Sequence, residues 1–430
     1  MTAGDHAASW LAAGEDAPPA RTLHRLSRRV RQALNRRALM QLLARHPVQG
    51  ATYLSKLSMP PFGAMGLGLA IPLLFATAVA GFLSGLMVLN TRRAAAFTAM
   101  LALLLAQQVV TAEQFSVGSL TLLVVVHLPY VFQLRRVSGP TLDVLDYFQR
   151  TALVLAVLGV VQYVLQFVIG QALAFPIDNY LPRALLLSQF NNQAVLHYGS
   201  ATLRANGVFM LEPSFFSQGV GLALAMEVIG RRRRLWMLAL GLGLLVSYSG
   251  TGVMAMAAAL LVDGIARRRF GMLFAATVGT AIVVAVGLAA DVPMITNLVD
   301  RSGEFGAAGS SASMRFVGGF ALFNELLWPE PLRTLFGYGA GSFLFYGHRA
   351  SMPIAEMMLF KTVFEFGLIG ALAYFGFLTF CIAGAKGPAA VKAGVAMALF
   401  CGGAYTPFGH CLACGLLLWP AENTARERST

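Results

Sequence analysis

Charge is scarce in this sequence. Asp, Glu, Lys and Arg make up 12% of its 430 residues, where an ordinary soluble domain carries about a quarter. With 57% hydrophobic residues, that scarcity excludes a soluble globular domain. Acids are scarcer still, 19 against 32 Lys plus Arg, for a formal charge of +13. The excess forms no stripe of the kind that tracks nucleic-acid phosphates, so nucleic acid is set aside as a partner. It sits instead in short clusters at the ends of apolar runs: Arg92-Arg93, Arg135-Arg136, Arg231 to Arg234 and Arg267 to Arg269. That is how cytoplasmic loops of membrane proteins are marked.

Cysteine is nearly absent as well. The four cysteines, Cys381, Cys401, Cys411 and Cys414, lie in or beside late apolar runs. Cys411-Leu-Ala-Cys414 has C-x-x-C spacing and His410 adjoins it, but further ligands at zinc spacing are missing. Small residues inside helices account for them; no metal and no cofactor are expected. The N-terminus lacks a short charged lead running into an apolar core and cleavage site, so no cleaved signal peptide is expected. No internal repeat stands out.

What the chain has is apolar length. Runs near the roughly 20 residues that cross a bilayer recur at about 94–112, 117–134, 151–175, 214–230, 235–250, 251–266, 270–290, 356–382, 388–404 and 409–420. The fold class is therefore all-α, a polytopic transmembrane bundle of about twelve helices (11–12). A further apolar region, about 62–90, reads as a hairpin of two short helices turning near Ala80-Gly81, which keeps both the basic tail and Arg92-Arg93 on the cytoplasmic side. Residues 1–60 are a basic cytoplasmic segment with nine Lys/Arg against three acids. Its start, through Pro18 and Pro19, reads as disordered. Arg21 to Arg45 carries Leu23, Leu26, Val30, Leu34 and Leu42 near helical spacing: either a helix lying on an anionic leaflet or a solvated basic tail. The transmembrane domain then spans 61–421, and 422–430 is a cytoplasmic tail. Two long stretches of mixed polarity, about 176–213 and 291–355, fall on the side opposite the arginine clusters. They are rich in aromatic and apolar residues, as packed loops with a function are.

Chemistry concentrates in those loops. The first ends in Arg204-Ala-Asn-Gly207-Val-Phe209-Met-Leu-Glu212-Pro213-Ser214-Phe-Phe216-Ser217. Pro213 suits a first helical turn, Glu212 stands where a cap would be, and Gly207 reads as exposed. A helix N-terminus beside an arginine favours a phosphate or carboxylate ligand. The second loop holds Ser310-Ser-Ala-Ser313-Met-Arg315, an amphipathic run from Phe316 to Trp328 read as a helix, Leu335-Phe336-Gly337-Tyr338-Gly339-Ala340-Gly341, and then His348-Arg349. No strand precedes the glycines, so they read as a tight turn bringing backbone close to a ligand or a neighbouring helix. Lys361 and Glu365, one turn apart in an apolar run, read as an i,i+4 ion pair, with a place beside the active cavity as the alternative. Ser247 to Gly252 reads as a close-packed helix–helix turn.

In order, Arg-x-x-Gly-x-Phe-x-x-Glu-Pro-Ser, a serine-rich turn before an arginine, Phe-Gly-x-Gly-x-Gly, a histidine, and Glu365-Phe-Gly367-Leu-Ile-Gly370 resemble the bacterial Wzy-type polysaccharide polymerases, which share a superfamily with the O-antigen ligases. The resemblance covers residues 200–375 by motif and the whole chain by hydropathy. It implies a metal-independent inverting glycosyltransferase of the bacterial inner membrane, working at the periplasmic face. Donor and acceptor would be undecaprenyl-diphosphate-linked oligosaccharides, with membrane lipids and flippase or export proteins as further partners. Carried across, Arg204 and Arg315 hold the diphosphate, as a planar guanidinium suits. His348 or Glu212 activates the acceptor hydroxyl. Arg349, Gly207, Ser214, Gly339 and Gly341 line the substrate. The chain departs from the ligases, which often place asparagine where Arg349 and Ser214 stand. A ligase, a transporter or flippase of lipid-linked sugars, and a non-enzymatic organiser of a secretion complex are the rival readings.

Overall fold

The computed structural model describes residues 20–58, 68–111, 113–135, 143–187, 190, 192–196, 200–292, 295–296, 299, 303, 306, 309–403 and 405–420. The stretch through Pro18 and Pro19, residues 59–67, Arg136 and the tail 422–430 lie outside them. The chain divides into two compact units, residues 1–43 and 44–430.

In chain order the principal helices are α1 (Ala20–Tyr53), α2 (Ala70–Leu83), α3 (Thr91–Thr111), α4 (Val117–His127), α5 (Val144–Val168), α6 (Pro213–Ile229), α7 (Arg234–Val246), α8 (Gly250–Ala266), α9 (Phe270–Ala289), α10 (Ser311–Phe316), α11 (Ser342–Gly347), α12 (Met358–Gly384), α13 (Ala389–Cys401) and α14 (Pro407–Leu412), the last continued by a π-turn at Ala413–Leu418. Among the described residues the only sheet is one antiparallel ribbon, β1 (Met87–Leu89) against β2 (Phe132–Leu134), with Met87 opposite Leu134. The class is all-α, as its apolar periodicity predicts. By length and composition α5 and α12 are able to cross a membrane; the other apolar helices are shorter.

One long helix, α5, is sorted inside out relative to a helix of a soluble bundle. On α5, Val154, Val157, Val161, Val164, Phe167 and Val168 are exposed, while Asp146, Gln149, Thr151, Gln162 and Gln166 are buried. A helix facing water places these residue types the other way round. Small residues let the buried faces approach. A methyl on Gly221 of α6 or on Gly252 of α8 would run into backbone of the opposite helix, the kind of close crossing that small residues permit in membranes.

The bundle has two ends, each with its own ion pairs. At one, arginines are matched by nearby acids: Arg231 with Asp146, Arg233 with the fully buried Glu227, and Arg267 with Asp263 at 2.9 Å. Arg93 reaches the Leu418 carbonyl there at 2.9 Å, and the β-ribbon closes the same end, Arg135 N–H donating to Leu86 O. At the other end lie the C-terminal turns of α3 and α5, the start of α6, the α7–α8 turn and the described loop residues 183–187, 200–212 and 310–356.

Three expectations are corrected. The segment from residue 44 onward does not belong with the basic tail: Ala44, Val48 and Ala51 are buried, Gly50 packs on Ala70 and Cys411, and Ser58 N–H bonds to Leu185 O. Pro47 and Gly50 keep its hydropathy low, so small-residue packing is invisible to an apolar-run criterion. The region around Ala80-Gly81 is no hairpin; α2 runs straight through it, with Gly81 against Met87. Finally, Phe316 to Trp328 is helical as expected but not one regular helix: it is interrupted at Val317, runs as α-helix over Gly318–Leu322 and widens to π-helix over Phe323–Leu327, with Gly318 and Gly319 packed against Ile354 and Phe360.

Candidate functional site

Residues 203–206 are anchored by two glutamines of α5. Gln166 accepts from Leu203 N–H at 2.8 Å and donates to Leu203 O at 3.0 Å. One turn earlier, Gln162 accepts from Asn206 N–H and donates to Asn206 Oδ1, both at 3.0 Å. Both glutamines are buried, where an unpaired amide would cost several kcal/mol in an apolar medium. Their i,i+4 spacing on an apolar helix was the available sequence signal for this anchoring. Arg204 projects from the anchored segment, its Nε donating to Val195 O at 2.7 Å.

Gly207 and Val208 follow with φ of 65° and 69°. A β-branched residue at such a φ is an outlier held only by its surroundings; here Asn206 Oδ1 accepts from Val208 N–H at 3.1 Å. Gly207 is buried rather than exposed. A Cβ there would come within 2.8 Å of the Phe216 ring and 3.2 Å of Leu155 O, so close packing is the reason for its glycine.

Glu212 is extended and stands at the N-cap of α6, with Pro213 in the first turn, yet its side chain makes no capping hydrogen bond. Its carboxylate instead turns to the second loop. Arg315 Nη2 lies 2.7 Å from Glu212 Oε2, and Ser214 Oγ donates to the same oxygen at 2.8 Å. Ser217 Oγ and Thr251 Oγ1 both donate to Ser214 O, at 2.7 and 3.2 Å, and Ser249 Oγ lies 3.0 Å from Thr251 Oγ1. The α7–α8 turn, read from sequence as packing alone, thus belongs to this polar hub. Hydrogen bonds to a charged group are worth about 1.5–3 kcal/mol each, so the hub fastens α10 to the start of α6.

The glycine loop meets a neighbouring helix. Gly367 breaks α12 with φ 63° and ψ −174°, a conformation essentially reserved for glycine. The break frees the carbonyls of Phe364 and Glu365, which accept from Tyr338 N–H at 3.0 Å and Gly339 N–H at 2.9 Å. On the loop's other side Gln108 Oε1 accepts from Ala340 N–H at 2.6 Å, and Ala340 O accepts from Ser116 N–H at 2.8 Å. Gly341, φ 84°, leaves room for Ser116, whose Cβ would stand 2.6 Å from a methyl there. Gly341 is therefore spent on packing against Ser116 ahead of α4, while Gly339 is tied by its N–H to α12. Burial first, then Glu330 and Glu113, pushes the Tyr338 hydroxyl up to about 12, so it stays a neutral hydrogen-bond donor, to Leu326 O at 2.8 Å.

His348 and Arg349 end α11, both exposed. Arg349 rides over the rings of Phe345 and Tyr346 at 5.0 and 5.7 Å. His348 lines a cavity of about 380 Å³ together with Phe343, Leu344, Ser351, Ile354 and Glu356. The loop on its far side is tied to α10, Ala355 N–H donating to Met314 O at 3.0 Å. Behind the cavity Lys361 and Glu365 form the expected i,i+4 pair at 3.0 Å, both buried.

The structure thus joins Glu212, Ser214 and Arg315 in one hub and seats His348 in a separate cavity, whose Glu356 follows the Ala355 that bonds to Met314. No family model matches this chain, and neither a curated protein nor a solved structure does.

Proposed function

We propose that this chain is a membrane-embedded polymerase of lipid-linked oligosaccharides, joining undecaprenyl-diphosphate repeat units into exopolysaccharide or O-antigen at the outer face of the bacterial inner membrane. The observation that carries the reading is the Glu212–Arg315 pair at 2.7 Å. Two motifs 103 residues apart, singled out by their order in the sequence, meet as one polar hub at the end of the bundle away from Arg231 and Arg233. The exposed apolar faces of α5 and α9 support a lipid environment. A membrane reading with about twelve crossings follows if the buried part of α1 after residue 44 pairs with α2 in place of the hairpin, with both ends of the chain cytoplasmic.

In this reading Arg315, with Arg204 on the anchored loop, meets the charge that develops on the departing diphosphate. The acceptor hydroxyl attacks the anomeric carbon, the carbon–oxygen bond to the diphosphate breaks, and configuration inverts. The exposed His348 is free to approach the acceptor. Tyr338, kept neutral by burial, takes no part in proton transfer.

The test is an assay of the purified chain with synthetic undecaprenyl-diphosphate repeat units, comparing wild type with Arg204→Ala and Arg315→Ala. A ladder of lipid-linked oligomers, lost in both variants, is the expected result. Transfer only to a second acceptor such as lipid A identifies a ligase. No transfer to either acceptor, with both variants behaving as wild type, sinks the glycosyltransferase reading.

A further inference from the structure

Glu212, the alternative to His348 as the base, is tied to Arg315 and Ser214. The cavity that holds His348 contains a different carboxylate. Glu356 lies on its wall and keeps a third of its side chain exposed, 32%. Its cation is shared: Lys361 Nζ stands 3.5 Å from Glu356 Oε1 but 3.0 Å from Glu365 Oε1. One lysine faces two glutamates, so the trio carries a net negative charge, and Glu356 is its exposed member on the cavity wall. Tyr405, whose ring lies 5.3 Å from Lys361 Nζ, covers the pair from another side. Two backbone ties hold the carboxylate's segment: Ala355 N–H bonds to Met314 O at 3.0 Å, and Met357 bridges Gly403. Ala355 and Met314 are the residues immediately before Glu356 and Arg315, so cavity and hub are stitched together at the point where their charged groups leave the backbone. The cavity volume, about 380 Å³, is in the range of small-ligand pockets. Apolar walls with a few convergent polar groups suit a sugar ring whose hydroxyls need orienting.

Resting on the polymerase reading above, we propose that this cavity is the acceptor-sugar subsite and that Glu356 is the group that takes the proton from the attacking hydroxyl. The acceptor O–H bond breaks with its proton passing to a Glu356 oxygen. The acceptor oxygen bonds to the anomeric carbon, and the electron pair of the broken carbon–oxygen bond leaves on the diphosphate, beside Arg315. The proton on Glu356 then passes to water, restoring the carboxylate. His348, which lines the same cavity, orients the acceptor. Lys361 and Glu365 are positioning residues.

The experiment uses the full chain in lipid nanodiscs with a synthetic undecaprenyl-diphosphate repeat unit, measuring initial rate against substrate concentration and the thermal unfolding midpoint. Glu356→Gln keeps the Lys361–Glu365 pair. Its kcat is expected to fall by about 100-fold or more, the size of a lost general base, with KM within threefold and the midpoint unchanged. Glu356→Asp, which keeps the charge but withdraws it, should recover part of that kcat. If Glu356→Gln does not fold, Glu356→Asp decides: a tenfold lower kcat at unchanged KM supports the assignment, and a wild-type kcat overturns it. A wild-type ladder with Glu356→Gln retaining more than a tenth of kcat overturns the assignment and leaves the polymerase reading standing. A wild-type chain that transfers nothing overturns both.

Discussion

Glu212 and Glu356 stand at the same end of the bundle and are held in opposite ways. Glu212 is 8% exposed, with a guanidinium and a hydroxyl on one oxygen at 2.7 and 2.8 Å, and its neighbours Ser217, Ser249 and Thr251 extend the network across α6 and α8. Glu356 faces an open cavity and has a lysine at 3.5 Å that is already matched by Glu365. A carboxylate with close partners on a buried face fastens chain segments together, because removing a partner strands a polar group. One that shares its cation at the edge of a cavity is available to a ligand. Substitutions in the hub should therefore change stability and rate together, and substitutions around the cavity should change rate alone.

The largest effect is expected from Arg315→Ala, which belongs to both sides of the comparison. It removes a cation from the proposed diphosphate and strands Glu212. Transfer should fall by roughly 1000-fold in the ladder assay, in line with loss of a preorganised charge-stabilising group, and the folded state should lose about 1.5–3 kcal/mol in denaturant unfolding. Arg315→Lys keeps the charge without the planar fork and should recover only part of the rate. Should Arg315→Ala lose stability but keep its rate, the hub would be purely a fastening.

Next comes His348→Ala, on the cavity side. The side chain is exposed at the end of α11, so unfolding should shift by no more than about 0.5 kcal/mol. The rate should fall by about 100-fold, as for a group that aids proton transfer or orients the acceptor. A matching loss of stability would erase the contrast. Glu212→Gln tests it from the other side: an amide still accepts from Ser214 but meets Arg315 without charge. Stability should drop by about 1–2 kcal/mol and the rate by about tenfold, since Arg315 keeps its charge and loses its anchor. If Glu212→Gln instead stopped transfer in a fully stable protein, Glu212 would be the chemical carboxylate.

Much of this was legible in the sequence. The helix ends at 213, 250 and 270 fall within a residue of the apolar runs because proline, glycine and arginine clusters punctuate them sharply. The Lys361–Glu365 pair follows from spacing. What escaped were features that depend on pairing at a distance. Gln162 and Gln166 look like two polar residues in a greasy helix until the loop at 203–206 is laid against them. Ala44 to Tyr53 carries too little apolar length to be counted in the bundle, yet its alanines and glycine pack there. Gly207 and Gly341 suggested a ligand, because glycine's sequence signal is the same whether substrate or another part of the chain approaches; here Phe216 and Ser116 do so. Glu356 carried no motif and became a candidate only through the cavity it lines.

The smallest predicted effect discriminates between two kinds of hub. Ser214→Ala removes one hydroxyl, the donor at 2.8 Å to Glu212, while leaving the Ser214 carbonyl to accept from Ser217 and Thr251. Glu212 keeps Arg315, so the carboxylate is not stranded, and the loss should be about 1 kcal/mol in unfolding with the rate within threefold of wild type. The variant separates a hub that works by summed fastening from one in which Ser214 itself touches substrate. In the first case Ser214→Ala and Glu212→Gln combine less than additively, because both weaken the same oxygen's contacts, and a double-mutant cycle returns a coupling of about 0.5 kcal/mol or more. In the second, Ser214→Ala raises KM for the lipid-linked repeat with no change in the unfolding midpoint, and the hub would have to be redrawn with Ser214 facing the sugar.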